Sequence, residues 1–394
     1  MRVLLVSLCF FKVPPSEGGG VDYHTYKLAN ALAKLGCEVH YVANVTDGAV
    51  FHKNVVLHQA KCPSLPLRVS FPSWVRNHFV ANVFAFKSAL SELIHESFDF
   101  DIIHDHGNLS NLLISLFKKN VPLVYTVHNP TPWLCVYPSP YERLIRISAH
   151  KVVEEPSWRG ANCIIALSNA IKSGIMRWGI PAEKVAVIYN GVDTSVFSPS
   201  LSSRNNAQEK HGIKSPYCLF VGQLTRRKGV NYLLRALAHI NTNCAIVGDG
   251  HERKSLMLLA KSLGILNKVS FTGAVPFEDL RDLYAGASFF VFPSVAEGMP
   301  LTILEAMSSR LPVIATNIPG TDEVINENYN GFIVPPRDVE ALRSRIQVLT
   351  DDCKFCKKMG DNARQFVIRS FSWRSTAEKT VEVYQRTLEI GDTN

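Results

Sequence analysis

Two glutamates eight residues apart and a lysine on a glycine-bounded turn are the side chains in this sequence best suited to chemistry. The glutamates lie in Phe292-Pro-Ser-Val-Ala-Glu297-Gly298-Met299-Pro300-Leu301-Thr302-Ile-Leu-Glu305, which reads as a strand end, a loop and the opening of a helix. Gly298 permits close backbone approach, and Pro300 suits a first helical turn because its missing N–H would have no partner there. Loop amides together with a helix start can cradle a diphosphate. Paired glutamates are common on surface helices; the loop, the proline and the apolar flanks set this pair apart. The lysine belongs to Gly222-Gln223-Leu-Thr-Arg226-Arg227-Lys228-Gly229, which places three cations before a helix starting at Val230. Lys228 and an arginine there would neutralise a pyrophosphate through charge-assisted bonds, about twice as strong as neutral ones. The plainer reading is a basic turn held by surface pairing.

Weaker signals sit at other strand ends. Glu17-Gly18-Gly19-Gly20 follows the opening strand and precedes a helix, so Gly19 and Gly20 can present amides to a phosphate or a sugar hydroxyl. A glycine turn with no ligand would look the same, and the third glycine of a dinucleotide fingerprint is missing. In Thr126-Val-His128-Asn129, His128 can face a sugar hydroxyl or the charge developing at an anomeric carbon; a solvated loop histidine is the alternative. His104-Asp-His106 puts two imidazoles on one side of an extended chain, a spacing that suits a metal but lacks further ligands. Cys353-Lys-Phe-Cys356 has no second pair nearby and reads as two thiols on one buried helical face.

These motifs need elements to hold them, and the hydrophobic pattern supplies them. Apolar runs at 3–8, 39–43, 101–105, 123–127, 163–167 and 185–189 alternate with amphipathic segments, the pattern of a doubly wound parallel sheet. Asn190-Gly-Val-Asp193 is a turn signal and 197–215 is polar, which marks a linker. The alternation restarts at 219–222, 244–247, 269–272, 289–292, 313–316 and 332–334, and the last helix, about 373–388, is long enough to return to the first domain. With 394 residues, 46% hydrophobic and 19% charged, the chain is an ordinary folded protein of two domains. Nine scattered cysteines read as reduced core residues. The apolar start at 3–11 is too short to span a bilayer, and a cytoplasmic location is expected. The net charge of +8 is local: between Asp47 and Glu92 there is no acidic residue, while Lys53, Lys61, Arg68, Arg76 and Lys87 are interleaved with Phe71, Trp74, Phe79, Phe84 and Phe86. Segment 53–87 therefore suits an anionic membrane surface on the cytosolic side, or a phosphorylated acceptor, against the alternative of a solvated helix face. Nucleic acid is not an expected partner, since no binding module accompanies the charge.

Glu297-x7-Glu305 after a Pro-Ser strand end, Asn190-Gly-Val-Asp193, Gly222-x-Leu-x3-Lys228-Gly229, Gly248-Asp-Gly250 and Phe371-Ser-Trp373 together resemble the retaining glycosyltransferases of family 4. The likeness covers essentially the whole chain and keeps the order of the motifs. It implies an α/β GT-B fold of two facing Rossmann-like domains with an interdomain cleft: 1–190 plus 373–394 on the acceptor side, and 191–372 binding the nucleotide sugar. It further implies that Lys228 and Arg227 bind the donor diphosphate, Glu297 the transferred sugar and Glu305 the ribose. Gln223, Gly298, Met299, Pro300, Leu301 and Thr302 line the donor, Gly19 and Gly20 stand near the phosphates, and His128 near the donor sugar and acceptor. Gln223 occupies a position where the family commonly has arginine, so Arg226 or Arg227 is expected to substitute; Asn129 replaces an acidic residue. The expected partners are a nucleoside-diphosphate sugar, open between UDP, GDP and ADP, and a lipid-linked, polysaccharide or small-molecule acceptor. No cofactor and no metal are expected. A nucleotide-sugar epimerase and a non-catalytic binding protein share such a fold and are the alternatives; an NAD-dependent oxidoreductase is disfavoured by the missing fingerprint.

Overall fold

The computed structural model describes residues 1–7, 13, 20–45, 49–60, 87, 91, 99–117, 121–128, 144, 147–148, 150–199 and 209–391. The chain forms two units, Met1–Tyr189 with Trp373–Asn394, and Asn190–Ser372.

The first unit is built on a seven-stranded parallel sheet: β1 (Arg2–Val6), β2 (Glu38–Ala43), β3 (Val55–Gln59), β4 (Ile102–Asp105), β5 (Leu123–Val127), β6 (Cys163–Ala166) and β7 (Val185–Val187). Their order is β3-β2-β1-β4-β5-β6-β7. Central strands read as unbroken apolar runs because helices cover both faces; Val3, Leu4, Leu5 and Val6 have no exposed surface. Helix Gly20–Lys34 is tied to the sheet by a buried polar chain, in which Ser7 Oγ donates to Asp22 at 2.9 Å and Thr25 Oγ1 to Ser7 Oγ at 3.0 Å. The final helix, Trp373–Gly391, belongs to the same unit: Thr376 Oγ1 donates to the Tyr189 carbonyl at 3.0 Å, and Tyr384 Oη lies 2.6 Å from His104 Nδ1.

One reading of this half needs correction. Val55–Gln59 falls in the segment considered for a helix face, yet it is an edge strand paired with β2. Its side chains are largely exposed, and its apolar run ends at Leu57, shorter than those of the central strands. Lys53 and Lys87 are described; Lys61, Arg68, Phe71, Trp74, Arg76, Phe79, Phe84 and Phe86 lie outside the described residues. Asp99-Phe-Asp101 has the Asp-x-Asp spacing that elsewhere holds a divalent ion on a nucleotide. It sits at the entry to β4, where the Arg2 amide donates to Asp101 Oδ2 at 2.6 Å, at the end of the sheet remote from the strand carboxyl ends.

The second unit holds a six-stranded parallel sheet: β8 (Tyr217–Val221), β9 (Asn243–Val247), β10 (Val269–Gly273), β11 (Phe289–Phe292), β12 (Val313–Thr316) and β13 (Gly331–Val334), ordered β10-β9-β8-β11-β12-β13. Phe220, Leu233, Leu237, Val291, Ile314 and Ile346 form part of one buried cluster on this sheet. The paired thiols do not share a buried face: Cys356 is buried and donates toward the Ser288 carbonyl at 3.4 Å, whereas Cys353, the first residue of helix Cys353–Ser370, is exposed. No helix among the described residues is long and apolar enough to cross a membrane.

Both sheets reverse their strand order beside their first strand, between β1 and β4 and between β8 and β11. Loops leaving neighbouring strands diverge at such a point and leave a crevice outside the carboxyl ends. The loops that follow β8 and β11 carry Lys228 and Glu297, and those that follow β4 and β5 carry His106 and His128.

Candidate active site

In the second unit the two loops are built to touch. Gly229 adopts φ 66°, a left-handed conformation, and a Cβ there would stand 2.0 Å from the Pro293 carbonyl oxygen. Glycine thus lets the cationic turn Arg226–Lys228 close against the loop after β11, where the Val295 amide donates to the Arg227 carbonyl at 2.8 Å. Lys228 Nζ then lies 2.8 Å from Glu297 Oε1, and Arg227 Nη1 3.2 Å from Glu297 Oε2. Burial alone would raise the Glu297 carboxyl, but Lys228 and Arg227 outweigh it and hold the group below its ordinary value. The result is an ionised, nearly buried carboxylate carrying two cations, with net charge of one positive.

Arg226 takes no part. It turns to Glu252, 3.4 Å away, and is 78% exposed, so Arg227 is the arginine that joins Lys228. Gln223 is exposed at the end of β8. Past Glu297, Gly298 and Met299 are buried, Pro300 is the residue before the helix, and Leu301 and Thr302 open helix Leu301–Ser308. No side chain caps that helix; of its first-turn amides, Ile303 donates to the Pro300 carbonyl at 3.3 Å, and the Leu301 and Thr302 amides precede any intrahelical acceptor. The Thr302 hydroxyl is buried and makes no hydrogen bond, a polar atom that needs a partner. Glu305 is buried one turn in, where Tyr284 Oη donates to Oε2 at 2.9 Å.

Asn190 was visible in the sequence only as a turn residue. It is buried, and its Nδ2 donates to the Met299 carbonyl at 3.0 Å, which fixes the segment between Glu297 and the helix. An asparagine followed by glycine signals a turn equally well when its side chain points inward, so local pattern gave no hint of this bond.

In the first unit Gly20 starts helix Gly20–Lys34, while Gly19 and Asn129 lie outside the described residues. His128 stands at the end of β5, with its Nε2 2.8 Å from His106 Nδ1. His24 joins them from the helix, its ring centroid 5.3 Å from His106 and 4.8 Å from His128. His104 does share a side with His106, at 4.4 Å between rings, but its nitrogens are taken by Tyr384 Oη at 2.6 Å and Thr126 Oγ1 at 2.7 Å. Burial pushes His104 down to about 3 and His106 and His128 well below the usual range, so these rings are neutral. Burial also lifts Asp105 to about 7, against the pull of the Ser110 hydroxyl and two backbone amides.

Two doubly wound domains, each a parallel sheet with a switch point beside its first strand, place the chain in the GT-B class of α/β proteins. Residues 18–196 match the family described as Glycosyltransferase Family 4, and residues 203–366 the one described as Glycosyl transferases group 1. The chain belongs to the family 4 type of GT-B glycosyltransferases, and glycosyl transfer is its activity. It is 27% identical over 405 residues to an uncharacterized glycosyltransferase of Methanocaldococcus jannaschii, covering 99% of each chain. Among solved structures, sucrose-phosphate synthase from Thermosynechococcus elongatus superposes with a TM-score of 0.83 at 23% identity, over 99% of both chains. Anabaena HepE in complex with UDP-glucose gives a TM-score of 0.74 at 20% identity, over 98% of this chain and 100% of that one.

Proposed function

We propose that the protein moves a hexosyl group from a nucleoside-diphosphate sugar to a lipid-linked, polysaccharide or small-molecule acceptor, with retention at the anomeric carbon. The observation that carries this reading is the meeting of Lys228 and Arg227 on Glu297 beside an uncapped helix start. Glycosyl transfer breaks the anomeric C–O bond and leaves negative charge on the departing diphosphate. Lys228, Arg227 and the amides of Leu301 and Thr302 stabilise that charge from fixed positions, so electrostatic preorganisation is the main catalytic contribution. With these cations neutralising the diphosphate, the chemistry proceeds without a divalent ion.

On this reading Glu297 accepts hydroxyls of the transferred sugar and Glu305, oriented by Tyr284, accepts the ribose hydroxyls. For His128 the proposed role is contact with the donor sugar and acceptor. The acceptor oxygen attacks on the face from which the diphosphate leaves; its proton passes to a diphosphate oxygen as the new C–O bond forms and the old one breaks. HepE bound to UDP-glucose supports a nucleotide-sugar donor for this fold. Segment 53–87, rich in lysine, arginine and aromatic residues, favours an acceptor presented at an anionic membrane surface. The test is a panel of UDP-, GDP- and ADP-sugars assayed for nucleoside-diphosphate release, with Glu297→Ala as control. At least one donor should be turned over by the native protein and not by the variant; release from none, or equal release by both, overturns the proposal.

A further inference from the structure

We propose that His24, His106 and His128 form a binding site for a divalent transition-metal ion, zinc above all, with three imidazole ligands and an open fourth position. The rings come from three separate elements: helix Gly20–Lys34, the turn after β4 and the end of β5. One ring nitrogen from each lies within 4.8 Å of the other two. His24 and His106 are buried and His128 is half-buried. His106 Nε2 is buried and makes no hydrogen bond, a polar atom that needs a partner.

Imidazole is the ligand that zinc, copper and nickel share, and three histidines with a fourth open position is a known zinc arrangement. A tetrahedral ion at about 2.0–2.1 Å from nitrogen needs ligand atoms about 3.3 Å apart, between the 2.8 Å that separates His106 Nδ1 from His128 Nε2 and the 4.8 Å that bounds the set; the ion would take the place of that hydrogen bond. Imidazole ligates through an unprotonated ring nitrogen, and each of the three rings has two nitrogens from which to offer one. His104 lies outside the set, packed against His106 with both of its nitrogens engaged.

The ion has no place in the proposed transfer step. Because that step uses His128, an occupied site would slow transfer; this consequence rests on the transferase reading, whereas the binding itself does not. The experiment uses untagged, chelator-treated full-length protein titrated with Co²⁺ and followed by visible absorption. The native chain should show a four- or five-coordinate Co²⁺ band that saturates at one equivalent and is displaced by Zn²⁺. His106→Asn and His24→Asn should each weaken this binding more than about 100-fold, since even changes to partners of a ligand cost about 10–100-fold. Glu297→Gln, in the other unit, should leave the band intact. A zinc X-ray absorption spectrum of the native protein at one equivalent should show scattering from three imidazoles, which keeps the test valid if a variant fails to fold. No Co²⁺ band in the native protein, a band unchanged in both variants, or a zinc spectrum with fewer than three imidazoles overturns the proposal.

Discussion

Replacing Glu297 by glutamine separates two roles that the site assigns to one carboxylate. In the native chain this group neutralises half the charge of Lys228 and Arg227, at 2.8 and 3.2 Å. A bound diphosphate must share those cations with it. Two unit charges about 5 Å apart interact by about 3 kcal/mol at an effective dielectric of about 20, and solvent at the half-exposed Arg227 screens part of this. A net gain of about 1.4 kcal/mol is the expected result, so Glu297→Gln should bind a free nucleoside diphosphate about tenfold more tightly. Transfer should fall at least about 100-fold, the usual effect of losing one preorganised polar contact. Calorimetry with the nucleoside diphosphate and a transfer assay read the two effects separately. The reasoning also fixes a pH dependence. The folded carboxyl lies below its ordinary 4.5, so the stability it contributes is present above that pH and is lost as pH falls through the folded value. The stability difference between native protein and variant should therefore shrink below about pH 4.5. Weaker diphosphate binding by Glu297→Gln would refute the argument, because it would mean that the carboxylate holds Lys228 in place rather than competing for it.

Gly229→Ala should destabilise the second unit by at least about 2 kcal/mol, since a left-handed residue must accept a Cβ against the Pro293 carbonyl; an unchanged thermal midpoint would contradict the packing described. Asn190→Ala releases the Met299 segment and should raise donor KM about tenfold with a smaller change in kcat; equal loss in both would point to a different role. Tyr384→Phe removes the hydrogen bond to His104 and should lower the first unit's stability by about 1–2 kcal/mol in denaturant titration. Peptide mapping after brief alkylation at pH 8 should find Cys353 modified and Cys356 protected, because burial pushes the Cys356 thiol up to about 12; early labelling of Cys356 would show that its helix opens.

Periodicity located the central strands because a parallel strand covered on both faces is apolar at every position, as Phe289–Phe292 and Cys163–Ala166 are. The edge strand Val55–Gln59 escaped for the opposite reason: its side chains are largely exposed, and its apolar run Val55-Val56-Leu57 is too short to stand out. At the site, Lys228, Glu297 and Glu305 were legible because glycine, proline and charge at strand ends have few other uses. The choice between Arg226 and Arg227 was not, since adjacent residues on a tight turn point in different directions and only the partner Glu252 decides which turns away. His24 gave no signal, because a histidine on a buried helix face is marked as a ligand only by the rings that other elements bring to it.

The central claim is that the Lys228 turn and the helix start after Glu297 hold a single diphosphate. Calorimetric titration of the native protein and Lys228→Ala with UDP, GDP and ADP tests it most directly. One nucleotide should bind the native protein, and its Kd should rise about 100-fold or more in the variant, as expected for a charge-assisted contact of about 3 kcal/mol. Binding that is unchanged without the lysine would contradict the claim.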